Sequence, residues 1–127
     1  MNFAFIAMLP LDIGAHIPTV DPNVRLNVDY AKKIVIKHNL RYEAFFVIPD
    51  LISDSYIIKE KKNHLLFMGE DPRTNEQYNM VLKSAKSATE TWLVTLHRTR
   101  EEQVRSRLRR AKTLGTILRE PERPFDE

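Results

Sequence analysis

Four apolar runs in succession, each followed by a short polar turn, constrain the fold of this chain most strongly. From Asp54 onward apolar residues recur at every second position, which is the period of a strand that buries one face. Because short turns join antiparallel neighbours, the pattern predicts an antiparallel meander. The four runs are SYIIKE, NHLLFMG, QYNMVLKSA and ETWLVTLH, and the connectors are Glu60–Lys62, Gly69–Thr74 and Lys86–Thr89.

Helical signals precede these strands. The segment from Asn27 to Asn39 carries apolar residues at helical spacing, with Asn27 suited to cap the first turn and Asn39 to end the helix in a left-handed conformation. A second short helix is predicted over residues 41–48, ending before Pro49. The run Phe45–Val47 is also compatible with a strand.

A basic helix is predicted after the last strand. Thr99 and Glu102 have the spacing of a capping box, and Gly115 is suited to end the helix. The predicted architecture is α+β: N-terminal helices packed on a curled antiparallel four-stranded sheet, closed by the C-terminal helix. Residues 1–20 are predicted to be an N-terminal arm, 21–115 a single domain, and 116–127 a flexible acidic tail containing proline.

Several kinds of site and location are disfavoured by composition. The chain of 127 residues has no cysteine, and its four histidines lack the spacing of a metal site, so neither a metal nor a cofactor is predicted. The apolar start, MNFAFIAMLPLDIGA, has no preceding basic residue and is too short to span a bilayer. It is interpreted as an edge strand or an ordered arm, and no membrane partner is predicted.

Positive charge is concentrated near the C-terminal end. The segment from Arg98 to Arg123 has eight arginines and one lysine against four glutamates, a net charge of +5, whereas the whole chain carries +3. Clustered arginine is typical of a surface that binds a polyanion such as RNA. The ordinary alternative is a solvated helix face, which is the commoner explanation for an arbitrary protein.

The last strand offers titratable groups at its end. Strict alternation would place Trp92, Val94 and Leu96 in the core, and would turn Thr95 and His97 together to the opposite face. In the neighbouring strand Lys83 lies near the start of the last strand, closer to Thr91 than to His97. His64 stands at the entrance of its own strand.

These residue types suit RNA cleavage without a metal. An imidazole near its ordinary pKa can act as base or acid, and a guanidinium can grip two phosphate oxygens. His38 or His64 together with His97, and Arg98 beside it, would be a sufficient set. Each residue also has an ordinary explanation, such as a helix end for His38 or a solvated strand end for His97.

A family resemblance rests on these same segments. VRLNVDYAKKIVIKH, FFVIPDLI, KNHLLF, NMVLKSAK and WLVTLHRTREEQVRSRLRRAK resemble, in this order, the phage-type barnase–EndoU–colicin–RelE-like nucleases. The resemblance covers about residues 20–112 and depends on the order of elements and on LHRT before an arginine-rich helix. It implies a histidine at the end of the first helix (His38), a basic residue on a central strand (Lys83), and a group around the final strand: Thr95, His97, Arg98 and Thr99.

The resemblance implies a metal-independent endoribonuclease of phage or toxin type, with RNA, including tRNA, as partner. His38 and His97 would be acid and base, Arg98 and Lys83 would stabilise the phosphorane, and Thr95 or Thr99 would orient the phosphate. Flanking RNA would be bound by a further set: Arg105, Arg109, Arg110 and His64. An inhibitor, an immunity protein or a larger phage parent protein would restrain such an enzyme in the host cytoplasm or the virion. The alternative function is a non-catalytic nucleic-acid-binding or virion-associated module.

Overall fold

The computed structural model describes residues 2–17, 19, 21–85 and 90–126. The predicted connector Lys86–Thr89 lies outside these residues. Seven strands and four α-helices follow in chain order, with a 3₁₀ helix over Tyr42–Val47. The strands are β1 (Phe3–Met8), β2 (Asn23–Asn27), β3 (Tyr56–Lys61), β4 (His64–Glu70), β5 (Gln77–Ser84), β6 (Thr91–Thr99) and β7 (Ile117–Arg119); the helices are α1 (Leu11–Gly14), α2 (Val28–His38), α3 (Ile48–Ser53) and α4 (Glu101–Leu114).

The strands form one mixed sheet in the order β1-β2-β6-β5-β4-β3-β7. The predicted meander is present as β3 to β6, but the prediction of a four-stranded sheet is wrong. Strand β2 pairs in parallel with β6, β1 pairs with β2, and β7 pairs with β3. The meander alone would leave two open edges, and β2 and β7 satisfy part of the unpaired backbone groups of these edges. Strand β1 is itself an edge strand, one of the two interpretations of the apolar start.

Two helical layers cover the sheet unequally. On one face α2, the 3₁₀ helix and α3 pack over a large core that includes Phe67, Met80 and Leu96. On the other face α4 covers only part of the sheet, through Val104 and Ala111. Their buried partners come from β3 and β4 and are Tyr56, Ile58, Leu66 and Met68. The apolar cluster that α4 forms on this second face contains no described residue of β1, β2 or β6.

Helix α2 begins and ends as predicted. The Asn27 side-chain oxygen accepts hydrogen bonds from the amides of Asp29 and Tyr30, at 2.9 and 3.2 Å. Asn39 adopts the left-handed conformation, with φ of 51°. Both predictions are confirmed because each depends on a local hydrogen bond or backbone angle that one residue type provides.

Two other helix boundaries were predicted wrongly. The predicted second helix does not stop before Pro49, because α3 continues through it. Pro49 occupies the first turn of α3, where its missing N–H would have no helical partner. The Thr99 capping box does not form either: Thr99 is the last residue of β6, its hydroxyl donates to the Gln103 side chain, and α4 starts after Arg100. Pairing of β6 with β5 extends to Thr99 and takes this residue into the sheet.

A bulge in β6 changes which residues are buried. Val81 pairs with Thr95 and the next residue, Leu82, pairs with Leu93, so Val94 is an extra residue without a cross-strand partner. The prediction of a core set is therefore confirmed for Leu96 and wrong for Trp92 and Val94. Leu93 and Leu96 are buried, Trp92 is half-buried, and Val94 is 38% exposed.

The same bulge puts Trp92 and His97 on one face of the sheet. Their partners on β5 are Lys83 and Asn79, which are four residues apart and therefore share a face. Without the extra residue, two positions five apart would point to opposite faces. The face they share is the one on which α4 packs.

The C-terminal segment returns to the sheet. Strand β7 pairs with β3, and the Arg119 guanidinium donates to the carbonyls of Leu51, Ile52 and Ser55 and to the Ser55 hydroxyl. Burial lowers the pKa of Arg119. The four hydrogen bonds hold its guanidinium in place. In the described part of the chain, none of the helices has both the length and the apolar character needed to cross a membrane.

Candidate active site

Two histidines from distant parts of the sequence meet beside β6. Strand β2 pairs with β6 only through Val24–Thr91 and Arg25–Trp92, after which the chain leaves the sheet as α2. Helix α2 therefore runs along the part of β6 that β2 leaves unpaired. His38, its last residue, stacks on His97 with the ring centroids 5.0 Å apart and the planes 30° apart.

Polar groups surround the two rings. The Thr95 hydroxyl lies 3.4 Å from Nε2 of His38, and the Asn79 amide nitrogen lies 3.5 Å from Nε2 of His97. Both distances are at the outer limit of a hydrogen bond. Nδ1 of His97 and the side-chain oxygen of Asn79, a residue only 2% exposed, are buried with no hydrogen-bond partner in the described part of the chain. Buried polar atoms without a partner are uncommon, so these two atoms distinguish the surroundings of His97 from an ordinary strand end.

Both imidazoles are held toward the neutral form. Burial lowers the pKa of His97, and the charges of His38, Arg107 and Lys37 lower it further. Burial also lowers the pKa of His38, with a smaller effect of Lys37. A positive charge on one ring disfavours a proton on the other. The pair therefore binds a first proton more readily than a second. Such a pair can supply one base and one acid.

Arg98 does not lie with His97. As the next residue on the strand it points to the opposite face, where it pairs with Tyr78. Its guanidinium donates to the Asn39 carbonyl at 2.9 Å and forms an ion pair with Glu76 at 3.4 Å. Arg98 therefore ties the end of α2 to β6 and positions His38, the residue before Asn39.

Lys83 and His64 lie at the other end of the same sheet face. They are cross-strand partners, and Lys83 also pairs with Trp92. Four residues separate Lys83 from Asn79, the partner of His97, which corresponds to about 13 Å along the strand. The pKa of His64 is lowered by burial and by the charges of Lys61 and Lys83. These two residues form a group separate from the histidine pair.

The remaining predicted residues also lie apart from the pair. Thr99 is engaged with Gln103. Arg105 contacts Glu101, the Asp126 carbonyl and the Phe125 ring, so it holds the C-terminal segment. Arg109 and Arg110 are exposed on α4, and neither forms an ion pair with any described residue.

Asn79 and Arg107 were missed at the level of the sequence. Arg107 stands three residues after Val104 and four before Ala111, both buried. It therefore flanks the inward side of α4, and this spacing was a usable signal. Asn79 carried no such signal, because an asparagine in a strand becomes informative only when its cross-strand partner is known.

The described residues form no metal site, and a pocket in the structure lies away from the histidine pair. The described residues contain no group of three or more His, Cys, Asp or Glu side chains placed to hold a metal ion. A pocket of about 400 Å³ lies between β4, its following turn and the C-terminal segment, and no histidine lines it. Its walls include Asp54, Glu70 and Glu122, whose carboxylates would repel a polyanion.

Comparison with known proteins adds no relative. No protein-family model, no curated protein and no solved structure matches this chain. The resemblance to the barnase–EndoU–colicin–RelE-like nucleases therefore stays a prediction, and the functional argument depends on the geometry of His38 and His97.

Proposed function

We propose that this protein is a metal-independent endoribonuclease in which His38 and His97 are the acid and base. The observation that carries the proposal is the contact of two imidazoles, 5.0 Å apart, both with lowered pKa. Cleavage of RNA by its own 2′-hydroxyl requires one proton acceptor and one proton donor close together, and histidine serves both roles. The proposed place of action is the cytoplasm.

The proposed reaction uses the two rings in opposite protonation states. The neutral ring takes the proton of the 2′-hydroxyl, the oxygen attacks phosphorus, and the P–O5′ bond breaks. The protonated ring gives its proton to the departing 5′-oxygen. The products are a 2′,3′-cyclic phosphate and a free 5′-hydroxyl, with no net change in protons.

The phosphate would bind at the rim of the pair. Rings 5.0 Å apart leave no room for a phosphate between them. The rim offers the Thr95 hydroxyl and, from α4, the charge of Arg107, which forms no ion pair with a described residue. Arg107 thus takes the role first predicted for Arg98, which is engaged with Asn39 and Glu76.

A cleavage assay tests the proposal. A labelled single-stranded RNA oligonucleotide is incubated with the protein in EDTA between pH 5 and 8, and the termini are identified by mass spectrometry. We expect cyclic-phosphate products and a rate maximum on the acid side of 6.5, the ordinary imidazole pKa, because both pKa values are lowered. His38→Ala and His97→Ala are each expected to slow cleavage about 10²–10⁴-fold. His16→Ala, which removes an exposed histidine outside the sheet, is the matched control.

Two results would contradict this function. The first is intact RNA after incubation with a sample that circular dichroism shows to be folded. The second is cleavage of an oligonucleotide whose 2′-hydroxyl at the cut position has been replaced by hydrogen, since the nucleophile would then be missing.

A second candidate function is nucleic-acid binding without cleavage. It is favoured by the exposed Arg107, Arg109 and Arg110, none of which forms an ion pair with a described residue. This function predicts RNA binding that weakens steeply as salt rises, with no products. The charge-neutral triple variant R107Q/R109Q/R110Q should then reduce the slope of log affinity against log salt, while His97→Ala should leave binding unchanged.

A further inference from the structure

An alternating row of aromatic and basic side chains crosses the sheet on the same face as His97. The cross-strand pairs join Phe5 to Arg25, Arg25 to Trp92, Trp92 to Lys83, and Lys83 to His64. These five residues, one from each of five strands, are called the aromatic row. Because directly opposed residues point to the same face, the row is continuous.

The aromatic end of the row is open to solvent. Phe5 is 58% exposed and its neighbour Phe3 is 40% exposed, whereas α4 packs over β3 and β4. The Phe3 ring stands edge-on to Phe5 at 5.4 Å and to Trp92 at 5.7 Å. Three adjoining aromatic rings on a sheet face, two of them well exposed among the described residues, are unusual for a surface that binds nothing.

Arg25 holds these rings in place. Its guanidinium lies 5.0 Å from the centre of Phe3, 5.2 Å from Phe5 and 6.0 Å from Trp92. Two carboxylates fix the guanidinium, Asp21 at 3.0 Å and Glu90 at 3.2 Å. Glu90 also accepts a hydrogen bond from the Trp92 ring nitrogen at 2.8 Å. The three aromatic rings are thus held in place before any ligand binds.

The charges around the three rings determine on which side the phosphates of a nucleic acid would lie. Asp21 and Glu90 neutralise Arg25 at the start of β6, so phosphates are disfavoured there. Positive charge lies on the other sides, at Lys83 across the strand and at Arg107, whose charge acts on His97. Because of the bulge, Trp92 and His97 are about as far apart as their β5 partners Lys83 and Asn79, a distance of about 13 Å. A strand of nucleic acid a few nucleotides long would span it.

We propose that Phe3, Phe5 and Trp92 are a stacking platform for the bases of single-stranded RNA, from which the strand runs along β6 to the histidine pair. The inference deepens the proposed function by naming single strands as its substrate class, and it rests on that function. Aromatic faces bind unpaired bases of any sequence, whereas bases in a duplex are not open to stacking.

Trp92 gives a direct readout because it is the chain's single tryptophan. The probe is an oligodeoxythymidylate, which lacks the 2′-hydroxyl and therefore cannot be cleaved by the proposed reaction. We expect saturable quenching of Trp92 fluorescence, and about 5- to 150-fold weaker binding by Phe5→Ala, the effect of losing one stacked base. Phe46→Ala removes a phenylalanine that is 69% exposed on the 3₁₀ helix and should change nothing.

The outcomes separate the two proposals. Quenching without RNA cleavage supports the platform and overturns the enzyme. Cleavage whose KM is unaffected by Phe5→Ala, with no quenching, overturns the platform and leaves the enzyme standing. Equal quenching by a duplex of the same length also overturns the platform, as does self-association in sedimentation that Phe5→Ala abolishes. Phe5→Leu, which keeps an apolar side chain, replaces Phe5→Ala if the alanine variant does not fold.

Discussion

The imidazole of His38 stacks on that of His97, and Arg98, which points to the opposite face of the sheet, helps to hold the two rings together. Arg98 donates to the carbonyl of Asn39, directly after His38, and so fastens the end of α2 to β6. His97 and Arg98 are neighbours in sequence but point to opposite faces of the sheet. One therefore supplies the ring, and the other holds its partner in place.

Stability should fall as the solution is acidified through the imidazole range. The pKa of His38, His64 and His97 is lowered in the folded protein. As pH drops below about 6.5 the unfolded chain takes up protons first, so the free energy of unfolding decreases until the folded pKa values are passed. Urea unfolding at pH 7.5, 6.5 and 5.5 measures this, and H38Q/H97Q should flatten the profile. Stability that is constant or higher at pH 5.5 would contradict the prediction.

Removing the charge of Arg107 should raise the pKa of His97. Arg107 lowers that pKa through its charge, after burial and His38. Titration of the His97 ring by nuclear magnetic resonance should show an upward shift in Arg107→Gln at low ionic strength, and a smaller one at high salt. Arg109→Gln, also exposed on α4, is the control. An equal shift in both variants would mean that overall charge, rather than proximity, sets the pKa.

Replacement of Arg119 should lower the free energy of unfolding more than replacement of an exposed arginine. Its guanidinium donates at 2.6 to 3.0 Å to three carbonyls and one hydroxyl at the end of α3. Arg119→Ala removes all four hydrogen bonds, although the Leu51 carbonyl still accepts from the Ser55 hydroxyl, and we expect a loss of about 3 kcal/mol in the free energy of unfolding. Arg109→Ala should change it by less than about 0.5 kcal/mol. Equal unfolding midpoints in urea for the two variants would rule out this role.

Gly69 in β4 should tolerate no side chain. A β-carbon there would lie 2.9 Å from Leu51 Cδ2 and 2.9 Å from Ser55 Cβ, closer than such atoms approach. Gly69→Ala is expected to cost about 1–3 kcal/mol through overpacking. At Gly14 no atom lies within 4 Å of the added β-carbon, so Gly14→Ala should be neutral or stabilise by up to about 1 kcal/mol. Thermal unfolding of both variants distinguishes a local clash from a general effect of alanine.

Elements that depend on neighbouring residues were predictable from the sequence, whereas strands that depend on pairing at a sheet edge were harder to predict. The cap at Asn27, the left-handed Asn39 and the four strands of the meander were predictable, because a few neighbouring residues determine each of them. Strands β2 and β7 were not, and β1 was predicted only as one of two interpretations, since what makes these segments strands is an unpaired edge contributed by remote segments. The helix start at Glu101 was misplaced for the same reason: strand pairing took Thr99 into β6.

The candidate site shows the same division. The sequence by itself determined that imidazoles, hydroxyls and arginines occur around the last strand, and that one histidine ends a helix. Only the tertiary structure decided which of them meet. The bulge at Val94 shifts the alternation of β6 by one residue and brings Trp92 to the face of His97. A bulge is stabilised by pairing with the neighbouring strand and by burial of Leu93 and Leu96 together, and these energies are absent until the sheet has formed.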